Sequence, residues 1–422
     1  MPISPLVIKQ VLLEQKHPRL PIPFIKRDAY QKLQQYSKLS EIIVITGLRR
    51  VGKSTLLQQL RTESEKADYY INFDDDRLLH FELSDFQTLL ELFVELYGVQ
   101  KTFYFDEIQN IEGWEVFVRR LHDQGNKIYI TGSNATLFSQ ELGTRLTGRY
   151  VQMEVYPYSF SEIVRDQLPR IKEAFTTEER GLVARAFAGY RFDGGIPLYV
   201  NSQSIDALQS LYESVLYRDI IARYKLTNDR PIKELVYYFA SNVGKEFSYS
   251  ELAKRIGVGS PTTVSDYCHY LQQSYLCYSV ARFHHSLAKQ QYYHKKCYFI
   301  DHGMARVLGF RSTEDRGRLL ENLVYIELKR RGGEIYFYKE QKECDFLVRR
   351  QGRVCEAYQV CIDMSDPVTK SREIEGLMEA MHSHALQQGV ILTDNQEEEL
   401  HVQSGDRSVT VSIVPTWKWA MK

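Results

Sequence analysis

Residues 41–61, EIIVITGLRRVGKSTLLQQLR, carry the pattern from which the rest of the chain is read. The apolar run 42–45 has the character of a buried strand, and apolar residues at helical spacing follow from Leu56. Between them Gly47, Leu48, Arg49, Arg50, Val51, Gly52, Lys53, Ser54 and Thr55 match GxxxxGK[ST]. In such a loop the backbone N–H groups wrap a phosphate, and glycine lets the backbone come close enough to do so. The following helix points the positive end of its dipole at the anion. On this reading 47–55 is the nucleotide-binding segment. Lys53 would reach the β and γ phosphates of ATP, and the Ser54 hydroxyl would sit on Mg2+.

Further along, FYFDE at 103–107 is an apolar strand ending in Asp106 and Glu107. Asp106 is the expected Mg2+ ligand, directly or through water, and Glu107 the expected base that orients and deprotonates the attacking water. KIYITGSN ends in Ser133 and Asn134, and a polar residue at a strand tip beside the phosphate loop can sense the γ phosphate. Asn134 is the candidate, with an ordinary cap for a helix from Ala135 as the alternative. In TRLTGRYVQMEVYPYSF, Arg145 or Arg149 is an arginine-finger candidate supplied by a neighbouring subunit, against a plain surface or core-bracing role. Lys53, Glu107, Asn134 and Arg149 form the expected catalytic set, and Ser54 and Asp106 the expected metal set.

Composition bounds the rest. Of 422 residues, 43% are hydrophobic and 26% charged, which excludes a disordered, collagen-like or purely coiled-coil chain. At roughly 150 residues per domain, about three domains are expected. Lys plus Arg and Asp plus Glu are 54 each, so a globally basic nucleic-acid coat is excluded although a local patch is not. The opening MPISPLVIKQVLLEQKHPRL has no run long enough for a signal peptide. The longest apolar runs elsewhere fall far short of the about 20 residues that cross a bilayer. Cysteines 268, 277, 297, 344, 355 and 361 are scattered without a CxxC pair, so neither a zinc site nor a disulfide framework is signalled. A soluble cytoplasmic protein with no membrane partner is expected.

EIIVITG, DYYINF, KTFYFDE and KIYITGS alternate with helical stretches through 41–155, which implies a mostly parallel sheet covered by helices. Residues 1–40 read as short helical pieces broken by Pro18, Pro21 and Pro23. Residues 156–230 read as helical, interrupted by the turn Gly194-Gly195-Ile196-Pro197. From 231 to 312, KELVYYFASNV, SYSELAKRIG and SPTTVSDYCHYLQQSYL are three helices followed by the strand-like runs CYSVARF and KKCYFID, a winged-helix pattern. Ser260 would cap the third helix and Pro261 open it.

Residues 230–310 hold ten Lys or Arg against five Asp or Glu, and RFHHSLAKQQYYHKK has four cations, three histidines and no acid. Arg282, Lys289, Lys295 and Lys296 are therefore candidate contacts to the phosphates of duplex DNA, with the helix from Ser260 in a major groove. Thr262, Thr263 and Ser265 could touch phosphate or bases, but no Arg or Asn there makes a bidentate base reader. A protein-packing module with a solvated charged face is the alternative.

With these motifs the chain resembles a group of prokaryotic AAA+ ATPases that join an ATPase core to a carboxy-terminal domain of unknown function with a restriction-nuclease-like end. The resemblance rests on GLRRVGKSTLL, YFDEIQ, ITGSN, LTGR before YPYSFSE, the GGIP turn, YFIDHGM at 298–304 and CDFLV at 344–348, and it covers nearly the whole chain. After 315 come a helix (ENLVYIELKRRG), three strands (EIYFYK, CDFLVR, VCEAYQVC), a helix (REIEGLMEAMHSH) and a strand (GVILTD), an order that resembles the PD-(D/E)XK nuclease core. That resemblance implies that Glu321, Asp345, Gln359 and Cys361 stand at its four active-site positions. Gln is a poor Mg2+ ligand beside a carboxylate, and Cys does not replace a lysine ammonium. Glu356, three residues from Gln359, falls on the opposite face of the strand. The site is read as degenerate, a scaffold without cleavage, with an ion pair or cap as the ordinary role of Glu321 and Asp345. NQEEEL at 395–400 reads as a solvated loop.

The expected architecture is α/β. An amino-terminal helical segment (1–40) precedes an AAA+ P-loop core (41–155), a helical lid (156–230), a winged helix (231–312) and a degenerate nuclease-like domain (313–422). The expected function is an AAA+ ATPase that uses ATP and Mg2+ and couples nucleotide state to a module for duplex DNA, as a homo-oligomer if an arginine finger is shared. The alternative is a nucleotide-gated DNA- or protein-binding regulator with little hydrolysis. Gln359 and Cys361 weigh against an ATP-driven nuclease.

Overall fold

Two compact units make up the computed structural model, Met1–Val155 with Gln273–Tyr275, and Tyr156–Gln272 with Leu276–Lys422. It describes residues 3–17, 20, 24–64, 67–133, 146, 148–171, 176–310, 316–404 and 407–422.

In the first unit β1 (Ile42–Thr46), β2 (Tyr69–Asn72), β3 (Thr102–Asp106), β4 (Lys127–Gly132) and β5 (Tyr150–Glu154) form one parallel sheet in the order β2-β3-β4-β1-β5. Every residue of β1 is buried, as a continuous apolar run requires when both faces are covered. The described helices are α1 (Pro5–Gln15), α2 (Ala29–Tyr36), α3 (Lys53–Glu63), α4 (Phe86–Tyr97) and α5 (Trp114–Asp123). Phe86 of α4 stacks on Phe117 of α5 with ring centroids 4.3 Å apart, and Phe81 meets Phe86 edge-on at 5.0 Å. Rings of this size bury roughly 150–250 Å2 each, so this aromatic cluster dominates the packing of the two helices. The four strands expected from the sequence are β1–β4. The fifth, YVQME, has no apolar run and is largely half-exposed, so it is a strand because β1 offers it a pairing edge.

The second unit opens with α6 (Phe160–Gln167), α7 (Thr177–Asp193), α8 (Pro197–Ser202) and α9 (Ile205–Ser214), the last running into a π-helical stretch, Val215–Ala222. Next come α10 (Arg230–Ser241), β6 (Glu246–Phe247), α11 (Tyr249–Arg255), α12 (Pro261–Gln273), β7 (Cys277–Ala281), α13 (Leu287–Tyr292), β8 (Lys295–Phe299) and α14 (His302–Leu308). The strands make an antiparallel sheet, β6-β8-β7. The Ser260 hydroxyl accepts the Thr262 N–H at 3.1 Å, capping α12 where Pro261 opens it.

The last stretch holds α15 (Arg316–Arg331), β9 (Glu334–Lys339), β10 (Glu343–Arg350), β11 (Arg353–Val360), α16 (Pro367–Ser383), β12 (Gln388–Thr393), β13 (Glu398–Ser404), β14 (Arg407–Pro415) and α17 (Thr416–Ala420). Its sheet runs β13-β14-β12-β11-β10-β9, with β12 parallel to both neighbours and the other pairs antiparallel. Leu377, Ala380 and Met381 of α16 pack on Leu347, Ile391 and Val411 of the sheet. One expectation is corrected here. Glu398, Glu399 and Leu400 of NQEEEL pair with β14 as the edge strand β13 instead of forming a loop. Exposed acids on an edge strand deter further strand pairing, which accounts for a charged block inside a sheet. Among the described residues no helix is long and apolar enough to cross a membrane.

Candidate functional site

The turn from β1 into α3 is set by its glycines. Gly47 has φ 144°, and a Cβ there would lie 2.4 Å from the Val155 carbonyl oxygen, so no other residue fits without moving β5's exit. Gly52 (φ 102°) and Arg50 (φ 59°) are also left-handed, a departure that Arg50 makes despite its side chain. Leu48 and Val51 are buried and pin the loop inward, while Arg49, Gly52, Ser54 and Thr55 are half-buried and Arg50 is exposed. Arg27 braces the loop by donating to the Val51 carbonyl at 2.9 Å.

Lys53 begins α3, and its ammonium is buried. It donates to the carbonyls of Gly47 at 3.3 Å and Leu48 at 3.2 Å, and lies 3.4 Å from Glu107. Ser54 donates to Asp106 Oδ1 at 2.9 Å. Asp106, fully buried at the end of β3, also accepts from Thr131 Oγ1 and from the Tyr70 hydroxyl at 3.1 Å. Burial, and then the charge on Glu107, hold its carboxyl above the usual range. Glu107 has φ 52° and donates its N–H to Thr131 Oγ1 at 2.9 Å; its carboxylate accepts from Gln109. Burial pushes this carboxyl up, but Lys53, Gln109 and Arg49 more than offset it, so the net shift is downward and Glu107 is ionised at neutral pH.

Ser133, at the end of β4, is buried, and its hydroxyl has no hydrogen-bond partner among the described residues. An orphaned hydroxyl beside the loop, a glycine cradle and a hydroxyl–carboxylate pair suited to a hard cation together fit Mg2+ and a nucleotide phosphate. Asn134 and Arg145 lie outside the described residues. Arg149 precedes β5, donates to Asp123 at 3.0 Å, and its carbonyl accepts the Ile42 N–H at 2.8 Å. Ile42 pairs with Tyr150 and Thr46 with Glu154, which puts Arg149 at the opposite end of the sheet from the loop, roughly 13 Å along a strand at 3.3 Å per residue. It cannot act on a phosphate bound to its own loop.

Tyr70 and Thr131 were not evident from the sequence. Their approach to Asp106 follows from the adjacency of β2, β3 and β4, which no local motif encodes.

A second polar cluster lies in the other unit. The structure brings together Glu321 of α15, Asp345 of β10 and Gln359 of β11. The Asp345 N–H donates to Gln359 Oε1 at 3.0 Å, and Gln359 Nε2 donates to Glu373 at 2.5 Å. Cys361 stands apart, with its thiol donating to the Asp363 carbonyl at 3.3 Å and pushed up to about 11 by burial. The residue that enters this cluster is Lys296. Its ammonium lies 2.8 Å from Glu343, 3.3 Å from Asp345 and 3.4 Å from Glu321, and only 2% of the residue is exposed. Lys296 as a DNA contact is therefore corrected: it is interior and ion-paired. Arg282 pairs with Glu340 at 2.7 Å, and half-buried Lys295 donates to the Gln291 carbonyl at 3.0 Å. Lys289 is the exposed cation of the four. No motif in the sequence points to Glu343, although it is two residues from Asp345 and so shares its strand face.

The sheet order β2-β3-β4-β1-β5, with a phosphate loop after β1 and an Asp-Glu pair at the end of β3, defines an AAA-type P-loop domain, and residues 39–164 match the AAA domain family. Residues 184–314 match a domain of unknown function, DUF8612. The chain belongs to the same family as the uncharacterized protein MJ1544 of Methanocaldococcus jannaschii, which is 31% identical to it over 99% of this chain and 95% of that one. An uncharacterized protein of Haemophilus influenzae is 31% identical over 78% of this chain and 85% of its own. Among solved structures, the Walker-type ATPase PABY2304 of Pyrococcus abyssi is similar over 70% of this chain and 99% of that one, at 16% identity and a TM-score of 0.43. The Thermotoga maritima RuvB Holliday junction branch migration motor is similar over 66% and 98%, at 15% identity and a TM-score of 0.30.

Proposed function

We propose that the chain is a Mg2+-dependent ATPase whose nucleotide state governs its carboxy-terminal modules. The observation that carries this reading is the convergence of Lys53, Ser54, Asp106 and Glu107 at the end of one parallel sheet. The loop's N–H groups and Lys53 would hold the phosphates, and Ser54 and Asp106 would hold Mg2+, which when bound neutralises charge on the transferring phosphoryl group. Glu107 takes the proton of the attacking water. Phosphate oxygens compete with Glu107 for the Lys53 ammonium, so binding of nucleotide frees the base that acts on it. Ser133 and Asn134 are the γ-phosphate sensors in this scheme, and Arg149 serves a neighbouring copy in a homo-oligomer.

The order α10-β6-α11-α12-β7-α13-β8, with β7 and β8 antiparallel, supports reading 231–312 as a winged helix. The order α15-β9-β10-β11-α16-β12 supports a nuclease-like scaffold for 313–422, without cleavage because Gln359 and Cys361 replace a carboxylate and a lysine. Duplex DNA is the proposed partner, met by α12 and by Lys289 of the wing, in a cytoplasmic protein. The alternative, a nucleotide-gated regulator with little turnover, draws on one observation: Glu107 is held by both Lys53 and Gln109.

The test is equilibrium binding of a fluorescent ATP analogue, followed by hydrolysis with and without a short duplex. Lys53→Ala is expected to lose binding, and the wild type to turn over faster on DNA. Lys53→Ala that binds and hydrolyses like the wild type would overturn the site. Hydrolysis indifferent to DNA would move α12 and the wing to protein packing.

A further inference from the structure

Gln109 sits in the single 3-10 turn Ile108–Asn110 that follows Glu107, and only 9% of it is exposed. The turn is fixed around it. Ile108 and Ile111 are buried in the core of the first unit, and Asn110 Nδ2 donates to the Phe73 carbonyl at 3.2 Å. Charge decides which way the Gln109 amide faces. Glu107 is an ionised acceptor, so the group that meets it is the Nε2 donor. That leaves Oε1 buried, with no hydrogen-bond partner among the described residues. A buried acceptor without a donor costs about 1–3 kcal/mol, which a donor arriving with a ligand would remove. A second orphan, Ser133 Oγ, ends the neighbouring parallel strand β4 at the same end of the sheet. The two differ in what they take. A hydroxyl can donate to a phosphate, whereas the Gln109 oxygen only accepts, so its partner is an O–H donor.

We propose that Gln109 positions the attacking water: Nε2 holds the Glu107 carboxylate, and Oε1 accepts one O–H of the water while the other faces Glu107. A lone pair of the water is then left for the γ phosphorus. This inference rests on the ATPase reading and adds to it the residue that aims the nucleophile. In the step, Glu107 receives the water proton and a bond forms from the water oxygen to the γ phosphorus. The bond to the bridging oxygen breaks, and its electron pair leaves on ADP. Gln109 neither gains nor loses a proton. The charged groups that act on Glu107 are Lys53 from α3, Arg49 from the loop and Asp106 from β3, while Gln109 is neutral and lowers its carboxyl as a donor. When a phosphate draws the Lys53 ammonium away, the Gln109 contact remains to hold the base.

The test is the pH dependence of kcat/KM for ATP hydrolysis by the full-length chain carrying Gln109→Glu or Gln109→Met, with the Kd of a fluorescent ATP analogue measured alongside. Both variants are expected to bind nucleotide like the wild type. Gln109→Met has neither donor nor acceptor at this place, and its kcat should fall about 10²-fold, as for a misplaced reactant. Gln109→Glu keeps the shape of the side chain. Adjacent carboxylates do not both ionise readily, so the pair takes up one proton as pH falls, and the protonated side chain of this variant again offers one donor and one acceptor. Its kcat/KM should therefore rise from pH 8 down to 6, where that of the wild type stays flat. If Gln109→Met does not fold, the Gln109→Glu profile decides alone. A flat profile in Gln109→Glu would overturn the proposal, as would a Gln109→Met whose lost turnover is matched by lost binding. Faster turnover by Gln109→Met would mean that the amide restrains Glu107, and would overturn it as well. A wild type that does not hydrolyse ATP would instead end the ATPase reading, and this one with it.

Discussion

Lys53 and Glu107 are each other's counter-ion at 3.4 Å, and that pairing makes their substitutions separable. Glu107→Gln removes the proposed base but leaves the loop and Lys53, so ATP should still bind while kcat falls about 10²–10⁴-fold, the usual contribution of a positioned base. Single-turnover kinetics with the nucleotide Kd measured in parallel would check this split. The pH profile follows from the direction of the Glu107 shift. A carboxyl held below its ordinary range in the free protein keeps its charge through mildly acid solution, so kcat/KM, which reports the free protein, should stay flat from pH 8 down to 6. Asp345 has the opposite sign. Its folded value near 7 exceeds its ordinary 3.8, so the folded state binds the extra proton and this group's stabilisation is lost as pH rises through 7. Thermal melts should show Asp345→Asn gaining on the wild type between pH 5 and pH 8. Equal pH dependence of the two proteins would contradict that assignment.

The elements differ in how plainly the sequence displays them. β1, β3 and β4 are apolar runs buried on both faces, and α3 follows a glycine pattern that has few other uses, so the phosphate loop is readable from local residues alone. β5 and β13 are not, because polar strands are decided by the partner edge they meet. Lys296 shows the same effect at a site. In KKCYFI, alternation sends Lys295 and Lys296 to opposite faces, so one of the two had to leave the surface. Which one, and that Glu321 and β10 would be waiting, depends on contacts far apart in sequence. Urea unfolding tests the assignment. Removing one partner of a buried ion cluster costs about 3–5 kcal/mol, so Lys296→Met should be strongly destabilised. Exposed Lys289→Ala should change stability by no more than about 0.5 kcal/mol.

At the scale of the whole molecule, the proposed nucleotide site lies within the first unit and the lysine-filled cluster within the second. Ligand that binds only the folded loop should stabilise the first unit by mass action, about 2.7 kcal/mol at a hundred times Kd. A non-hydrolysable ATP analogue should therefore raise the melting temperature of the wild type and not that of Lys53→Ala. The proposed site for ATP is specified by residues close together in sequence, whereas the modules around 231–422 are specified by long-range pairing. That difference is why the chemistry of the first unit is legible and the partner of the second rests on fewer residues. The most direct measurement is the steady-state release of phosphate from Mg-ATP by purified wild type and by Glu107→Gln at matched nucleotide saturation. The account predicts turnover by the wild type and loss of at least about 10²-fold in the variant with binding retained. Equal rates in the two proteins, or no turnover by the wild type with or without duplex DNA, would contradict it.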